Sequence, residues 1–261
     1  MIPIFDSLSH PTISGKWLDS DNNASFSSLI HDMEVNNILN ACAVGLPNIG
    51  NYDHHKFARI CKNYEQLIPI AGYTLSEFRE SPSLSKLKDL GFYGIKLHPK
   101  YSNFDLKRDS STLTEIFNQC CKLDLIVFLC TYSAMEIEYM CEYDQLYELI
   151  SILKNTDKLK LVLVHGGLHR IFEYADLARF NNNILLDISY LLVKYEHSSI
   201  DKDIIYLFKT FDQKICVGSD HPEFSLKETR DRLELLSHDI AFNKKENFFY
   251  KNLASFLNVQ K

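Results

Sequence analysis

Short apolar runs alternate with amphipathic stretches along the whole chain. The apolar runs lie at Ile4 to Leu8, Ile38 to Val44, Leu67 to Tyr73, Gly91 to Leu97, Leu125 to Thr131, Leu159 to Val164, Asn183 to Ile188 and Lys214 to Gly218. Each is the length of a strand and too short for a buried helix. Between them, apolar residues recur every three or four positions, which predicts helices over Ser27 to Val35, His55 to Tyr64, Leu113 to Leu123, Leu146 to Lys154, Phe172 to Phe180, Asp203 to Phe211 and Ser225 to Leu235. The third gap, around Leu84 to Leu90, carries the weakest helical pattern. A strand that returns through a helix pairs in parallel with its neighbour, and eight such units with no long linker or short internal repeat predict a closed (β/α)8 barrel, the TIM-barrel architecture. A doubly wound open sheet is the alternative. It would carry a glycine-rich phosphate loop after its first strand, where this chain reads H-P-T-I-S-G-K-W from His10 to Trp17. A last amphipathic stretch, Glu246 to Asn258, offers Phe248, Phe249, Leu253 and Phe256 on one face and predicts an extra C-terminal helix packed on the barrel. The expected organisation is one α/β domain spanning residues 1–261.

Composition narrows the partners. The 261 residues are 46% hydrophobic and 24% charged, ordinary for a globular domain, and the formal net charge is −6. Nucleic acid and anionic membranes reward clustered Lys and Arg, so an acidic chain points instead to a small-molecule partner. The start of the chain lacks a basic segment and a cleavage site, and its longest strongly apolar stretch, Leu125 to Cys130, falls far short of the roughly 20 residues that span a bilayer. A cytoplasmic location is expected. Seven cysteines without a disulfide or zinc-knuckle spacing are expected to be reduced, with Cys42, Cys61, Cys120 and Cys216 filling the core. His54, His55, His197 and His238 have no second ligand at a metal spacing and read as surface residues, and Lys86, Lys88 and Asp89 as a solvated helix face. Assembly into a homo-oligomer is left open.

Barrels of this kind carry their chemistry where the strands end at their C-terminal side. Polar residues gather at those positions: Asp6 and His10 around the first strand, Lys96 and His98 at the fourth, Cys130 at the fifth, His165 at the sixth and Asp220 at the eighth. Strand alternation places Lys96 with His98 on one face, and Asp6, Leu8 and His10 likewise. Each has a plainer reading. His165 caps the following helix, Asp220 caps a turn, His10 shapes the exit before Pro11, Cys130 packs, and Trp17 anchors a loop rather than lining the mouth.

The strings G-F-Y-G-I-K-L-H-P (91 to 99), L-V-L-V-H-G-G (161 to 167) and V-G-S-D-H-P (217 to 222) resemble the strand-four, strand-six and strand-eight motifs of the amidohydrolase-related family, in order and at barrel spacing. That family includes metal-dependent hydrolases, lactonases and decarboxylases. The resemblance implies a first strand of the form Asp-x-His-x-His, whose two His bind a divalent metal with a strand-five His and the strand-eight Asp. This chain reads D-S-L-S-H from Asp6 to His10, so Leu8 replaces one ligand, and Cys130 stands in place of the strand-five His. A thiolate can bind zinc and a leucine cannot. The remaining set, His10, Cys130, His165 and Asp220, would hold a divalent metal, zinc by ligand type, in altered geometry, or none. The resemblance further implies Asp220 as general base, His165 as general acid or carbonyl polariser, and Lys96, His98, Trp17 and His221 as substrate contacts. The activity implied is hydrolysis of a C–N or C–O bond, or decarboxylation, of a small carboxylated or ring-containing molecule. Leu8 and Cys130 keep a second reading open: a diverged barrel that binds a small ligand or a protein partner without catalysis.

Overall fold

A computed structural model describes residues 1–81, 83–132, 144–156 and 158–259. Its strands are β1 (Ile4–Ser9), β2 (Ile38–Val44), β3 (Leu67–Gly72), β4 (Gly94–Leu97), β5 (Ile126–Cys130), β6 (Leu161–Val164), β7 (Ile184–Asp187) and β8 (Ile215–Cys216). They form one eight-stranded sheet in sequential order, every neighbouring pair parallel. Parallel bridges from Asp6 to Val217 and from Ser9 to His221 close the seam between β8 and β1. This is the expected (β/α)8 barrel.

Alternation along the strands sorts the core into two shells. Phe5, Leu8, Val44, Ile70, Phe128 and Val162 belong to the cluster inside the barrel, whereas Ile95, Leu97, Leu161 and Leu163 pack outward under the helices. Apart from Leu39 and Asn40 on β2 and Pro69 on β3, both faces of the strands are buried, which is why they read as continuous apolar runs. The alternation expected for Asp6, Leu8 and His10 fails. The β1 register shifts between Asp6 and Ser9, so Phe5 and Leu8, three residues apart, share the inner cluster.

Strand β4 begins at Gly94 rather than Gly91, because Gly91 (φ 95°) is the left-handed cap of the preceding helix, a conformation that glycine adopts without steric cost. The third gap holds two helices, α1 (Leu75–Glu80) and α2 (Ser85–Leu90). The first is fixed by a capping box in which Thr74 and Glu77 satisfy each other's backbone amides. At the far end of the chain, residues 242–257 form a helical segment ending in α3 (Asn252–Leu257). Tyr250, Leu253, Ala254 and Leu257 enter the inner cluster, and Tyr250 Oη donates to Asn40 Oδ1 at 3.0 Å. The extra helix therefore plugs the end of the barrel at which the strands begin. Phe248 packs outward, stacked on Phe208 with centroids 4.0 Å apart.

Cys42, Cys61, Cys120 and Cys216 are buried free thiols whose pKa values burial pushes up, to about 12 for Cys61. Cys141 lies outside the described residues. His55, His197 and His238 are exposed, but His54 is not a surface residue. It is half-buried, with Nδ1 2.9 Å from Tyr52 Oη and Nε2 3.0 Å from Glu77 Oε1, and it packs edge-on against Phe92. Among the described residues no helix is long and apolar enough to cross a membrane.

Candidate active site

The polar residues at the strand exits are drawn together by backbone pairing across the barrel seam. The Asp220 amide donates to the Leu8 carbonyl at 2.8 Å, and the His10 amide to the His221 carbonyl at 2.6 Å. His10 Nδ1 lies 2.8 Å from the Val44 carbonyl, which can only accept, so Nδ1 carries a proton and the ring turns Nε2 toward Asp220 Oδ1 at 3.4 Å. Trp17 stacks on His10 with centroids 5.4 Å apart and planes 13° apart, and its Nε1–H donates to Glu223 at 3.2 Å. Trp17 therefore covers His10 and is itself tethered. A small cavity of about 10 Å³, room for no more than a single water, lies beside them, lined also by Thr12, Leu46 and Tyr52.

Asp220 is buried, which alone would raise its pKa. The hydrogen bond from His10 and the charges of His165, His10 and Lys96 outweigh burial and hold it at about 2. The opposite holds for His221, which burial and the charge of His10 push down to about 4, so that it is neutral near pH 7. Both of its ring nitrogens are buried without a hydrogen-bond partner.

Across the mouth, Cys130 ends β5 beside His165, which follows β6. Burial opposes ionisation of the thiol, yet the charges of His98 and Lys96 and hydrogen bonds from His165 and His98 hold its pKa well below the usual range. In return, the bond to Cys130 and the charges of Asp220 and Cys130 overcome the burial of His165 and raise its pKa. Lys96, on the inner face of β4, is 1% exposed, and its Nζ has no hydrogen-bond partner. Burial lowers its pKa, while Cys130, Asp220 and Asp187 pull it up.

The structure adds two residues that the sequence reading passed over. Asp187, the last residue of β7, accepts from Ser7 Oγ at 2.5 Å, from the His165 amide at 3.1 Å and from the hydroxyl of Ser189. Ser189 Oγ in turn lies 3.1 Å from His165 Nδ1. The signal was the string L-L-D-I-S, a carboxylate at a strand end, the same criterion that singled out Asp220. Asp6 has a different task. It accepts from the amides of Leu8 (3.0 Å) and Ser219 (2.9 Å) and from the hydroxyls of Ser9 and Ser219 (both 2.6 Å), tying β1 to the segment after β8.

His165 (φ 65°) and Asp220 (φ 61°) both adopt left-handed backbone, a state that costs a non-glycine residue of order 1–3 kcal/mol. Such strain persists where surroundings impose it, and here it turns both side chains out of strand direction into the mouth. The structure so brings His10, Lys96, Cys130, His165 and Asp220 together, with His98 reaching the group through Cys130 and His221 backing onto His10 and Asp220.

The residues do not fit a metal centre. Among the described residues no group of three His, Cys, Asp or Glu side chains is arranged to hold an ion. Leu8 fills the inner core, His165 Nδ1 is held by Ser189, and the buried ammonium of Lys96 would repel a second cation in the same space.

The amidohydrolase sequence family matches residues 54–249. The chain belongs to the amidohydrolase family. The match begins beyond β1, so Leu8 and His10 lie outside it. No curated protein matches the chain. Among solved structures, an uncharacterized TIM-barrel protein of Bordetella bronchiseptica is 18% identical, with 98% of this chain and 99% of that one covered and a TM-score of 0.78. A probable 2-pyrone-4,6-dicarboxylic acid hydrolase of Acinetobacter baumannii, solved with citric acid bound, is 15% identical over 98% of this chain and 99% of that one, with a TM-score of 0.73. An amidohydrolase of Burkholderia multivorans, solved with bound zinc, is 13% identical over 99% and 100%, also with a TM-score of 0.73. This amidohydrolase-family barrel is therefore an enzyme fold whose relatives include a zinc-bound member.

Proposed function

We propose that this amidohydrolase hydrolyses a C–O or C–N bond of a small carboxylated, ring-containing molecule, with Asp220 as general base and His165 as general acid. The observation that carries the reading is the juxtaposition, in one barrel mouth, of an ionised carboxylate and an imidazole of raised pKa beside the unpartnered ammonium of Lys96. Environments that push two titratable groups apart in this way assign acid and base. Hydrolysis needs a base for the attacking water and a proton for the leaving oxygen or nitrogen, and Asp220 and His165 supply the two.

A buried ammonium with no partner is costly, and a substrate carboxylate or a developing oxyanion would satisfy it. Lys96 binds that anion, and His98, His221 and Trp17 supply the remaining contacts to the substrate. Asp220 at about 2, with the cations of His10, His165 and Lys96 around it, is a weak base. A bound anion offsets the cations around it and raises its proton affinity toward the range in which general base catalysis works. The zinc of the Burkholderia multivorans structure suggests a metal for this chain too, but its donor set does not accommodate one, and no step here passes through an ion.

Asp220→Asn keeps shape while removing the basic carboxylate. It should slow the chemical step by about two to four orders of magnitude in a folded protein, measured by steady-state kinetics with circular dichroism as control. Near wild-type turnover would remove Asp220 from the mechanism and favour a ligand-binding barrel without catalysis. Elemental analysis of protein purified without chelators should find no stoichiometric zinc, and one tightly held zinc per chain would overturn the reading of Leu8.

A further inference from the structure

The turn that follows β6 is held from both flanking strands. Four consecutive residues, His165 (φ 65°), Gly166 (φ 54°), Gly167 (φ 76°) and Leu168 (φ 56°), take left-handed backbone, which residues other than glycine rarely adopt. Side chains next to the turn occupy its amides. Thr131, next after β5, accepts from the Gly167 amide at 2.7 Å, and Asp187, the last residue of β7, accepts from the His165 amide at 3.1 Å. Beyond β7 the chain folds back on the imidazole itself. Ser189 offers His165 Nδ1 two acceptors, its hydroxyl oxygen at 3.1 Å and its carbonyl at 3.3 Å. The hydroxyl donates to Asp187 and a carbonyl can only accept, so Nδ1 carries hydrogen and Nε2 is the nitrogen left for a reacting molecule. Tyr190 packs against the same ring, with centroids 5.5 Å apart.

An amide could not replace the carboxylate of Asp187. Its Oδ1 accepts from the Ser189 amide at 3.2 Å and from Ser7 Oγ at 2.5 Å, and its Oδ2 from the His165 amide and the Ser189 hydroxyl. Hydroxyls can turn to accept, but backbone amides cannot. Either orientation of an asparagine would set its NH2 group against one of the two amides, so only a side chain with acceptors on both sides serves. Asp187 is fully buried, and the cost of burying a carboxylate is offset only by bonds of this kind.

We propose that Asp187 and Ser189 are positioning residues of the reaction, which together fix where the His165 ring points and which of its nitrogens meets the substrate. The inference rests on the hydrolytic reading above, in which His165 serves the leaving group, and assigns that contact to Nε2. Neither residue touches the substrate. Asp187 sets the backbone from which the ring projects, and through Ser189 it sets the rotation of the ring. A ring free to turn over would present Nδ1 and Nε2 alternately, and a misplacement of about 1 Å at a reacting group is worth about a hundredfold in rate. Because both residues act through His165, their loss falls on the chemical step and leaves anion binding by Lys96 as it was.

Two measurements test this. In nitrogen-edited proton NMR of the wild-type protein, the Nδ1–H of His165, shared between two acceptors, should give a slowly exchanging resonance that His165→Gln removes. Ser189→Ala and Asp187→Asn should each move it upfield and speed its exchange about tenfold, what one hydrogen bond is worth. A resonance unchanged in both folded variants would overturn the proposal, and should Asp187→Asn fail to fold, Ser189→Ala alone decides. With 4-carboxyphenyl acetate as substrate, Ser189→Ala should lower kcat about ten- to a hundredfold and leave KM within about twofold of wild type. A raised KM at unchanged kcat would move Ser189 into the binding of substrate and overturn the positioning role. If His165→Gln is inactive while folded Ser189→Ala is as fast as wild type, the positioning role falls and the hydrolytic reading stands. If His165→Gln itself cleaves the ester at the wild-type rate, the hydrolytic reading falls and the positioning role with it.

Discussion

Lys96→Met separates a residue kept for function from one kept for the fold. Lysine 96 places an ammonium at a position 1% exposed, where Nζ has no hydrogen-bond partner. An unsatisfied buried polar group costs about 1–3 kcal/mol, and more when charged. Methionine has nearly the same length and carries no charge, so it fills the space without the penalty. The change also deprives Cys130 and Asp220 of a neighbouring cation, which returns part of the gain. The net expectation is a variant more stable by about 1–2 kcal/mol, in keeping with replacements of buried ionic groups by apolar ones. For a chain of this size that raises Tm by roughly 2–4 °C for each kcal/mol. The pH dependence has a definite sign. The folded pKa of Lys96 lies below its ordinary value of 10.5, so the unfolded chain binds the extra proton between the two. Wild-type stability therefore rises with pH through that interval, and the advantage of Lys96→Met is full below the folded pKa and gone near pH 10.5. Denaturant unfolding of both proteins across the alkaline range measures the difference, and kinetics should show a raised KM with a smaller change in kcat. A variant less stable than wild type by more than about 1 kcal/mol would show that Lys96 is a structural counterion, and the anion-binding role would lose its support.

Asp6 should make the fold less stable as pH rises through the weakly acidic range. Burial raises its pKa from 3.8 to about 6, so the native state holds the proton more tightly. Stability present below about pH 4 is lost as pH rises through about 6, by about 3 kcal/mol at most. Urea unfolding of wild type and Asp6→Asn between those limits should show the loss in wild type alone, and parallel curves would contradict it. Gly167→Ala should cost about 2–4 kcal/mol, since φ is 76° and a Cβ would lie 2.0 Å from the Tyr174 ring. Gly166→Ala, whose Cβ would meet nothing closer than 3.2 Å, should cost about 1–2 kcal/mol, and chemical denaturation that ranks the two the other way would refute the packing argument.

The barrel was legible because strands buried on both faces leave long apolar runs, and such runs survive misjudged ends. Gly91 was read as strand for that reason, although its φ of 95° makes it a helix cap, a distinction that rests on dihedral angle rather than hydrophobicity. The shift in β1 was invisible for a related reason. Asp6 fails to keep step with Leu8 because its carboxylate is claimed by Ser9 and by Ser219, and the latter lies more than 200 residues away. His54 looked exposed because its anchor, Glu77, comes from another helix.

The site divides in the same way. Strand-end position alone, a local property, marked Lys96, Cys130, His165 and Asp220. Their protonation states are properties of neighbours brought in by the fold, and those neighbours change what the residues can do. Compared only with a metal-ligand pattern, Cys130 is a damaged ligand. Set beside the charges of His98 and Lys96, which pull its pKa down against burial, the same sulfur differs from the core cysteines Cys42 and Cys216, whose pKa values burial raises. The fold does not need this arrangement. Leucine or methionine at residue 96 would pack the mouth without burying a charge, so the cost of keeping an ammonium there is an argument for chemistry performed on a bound anion.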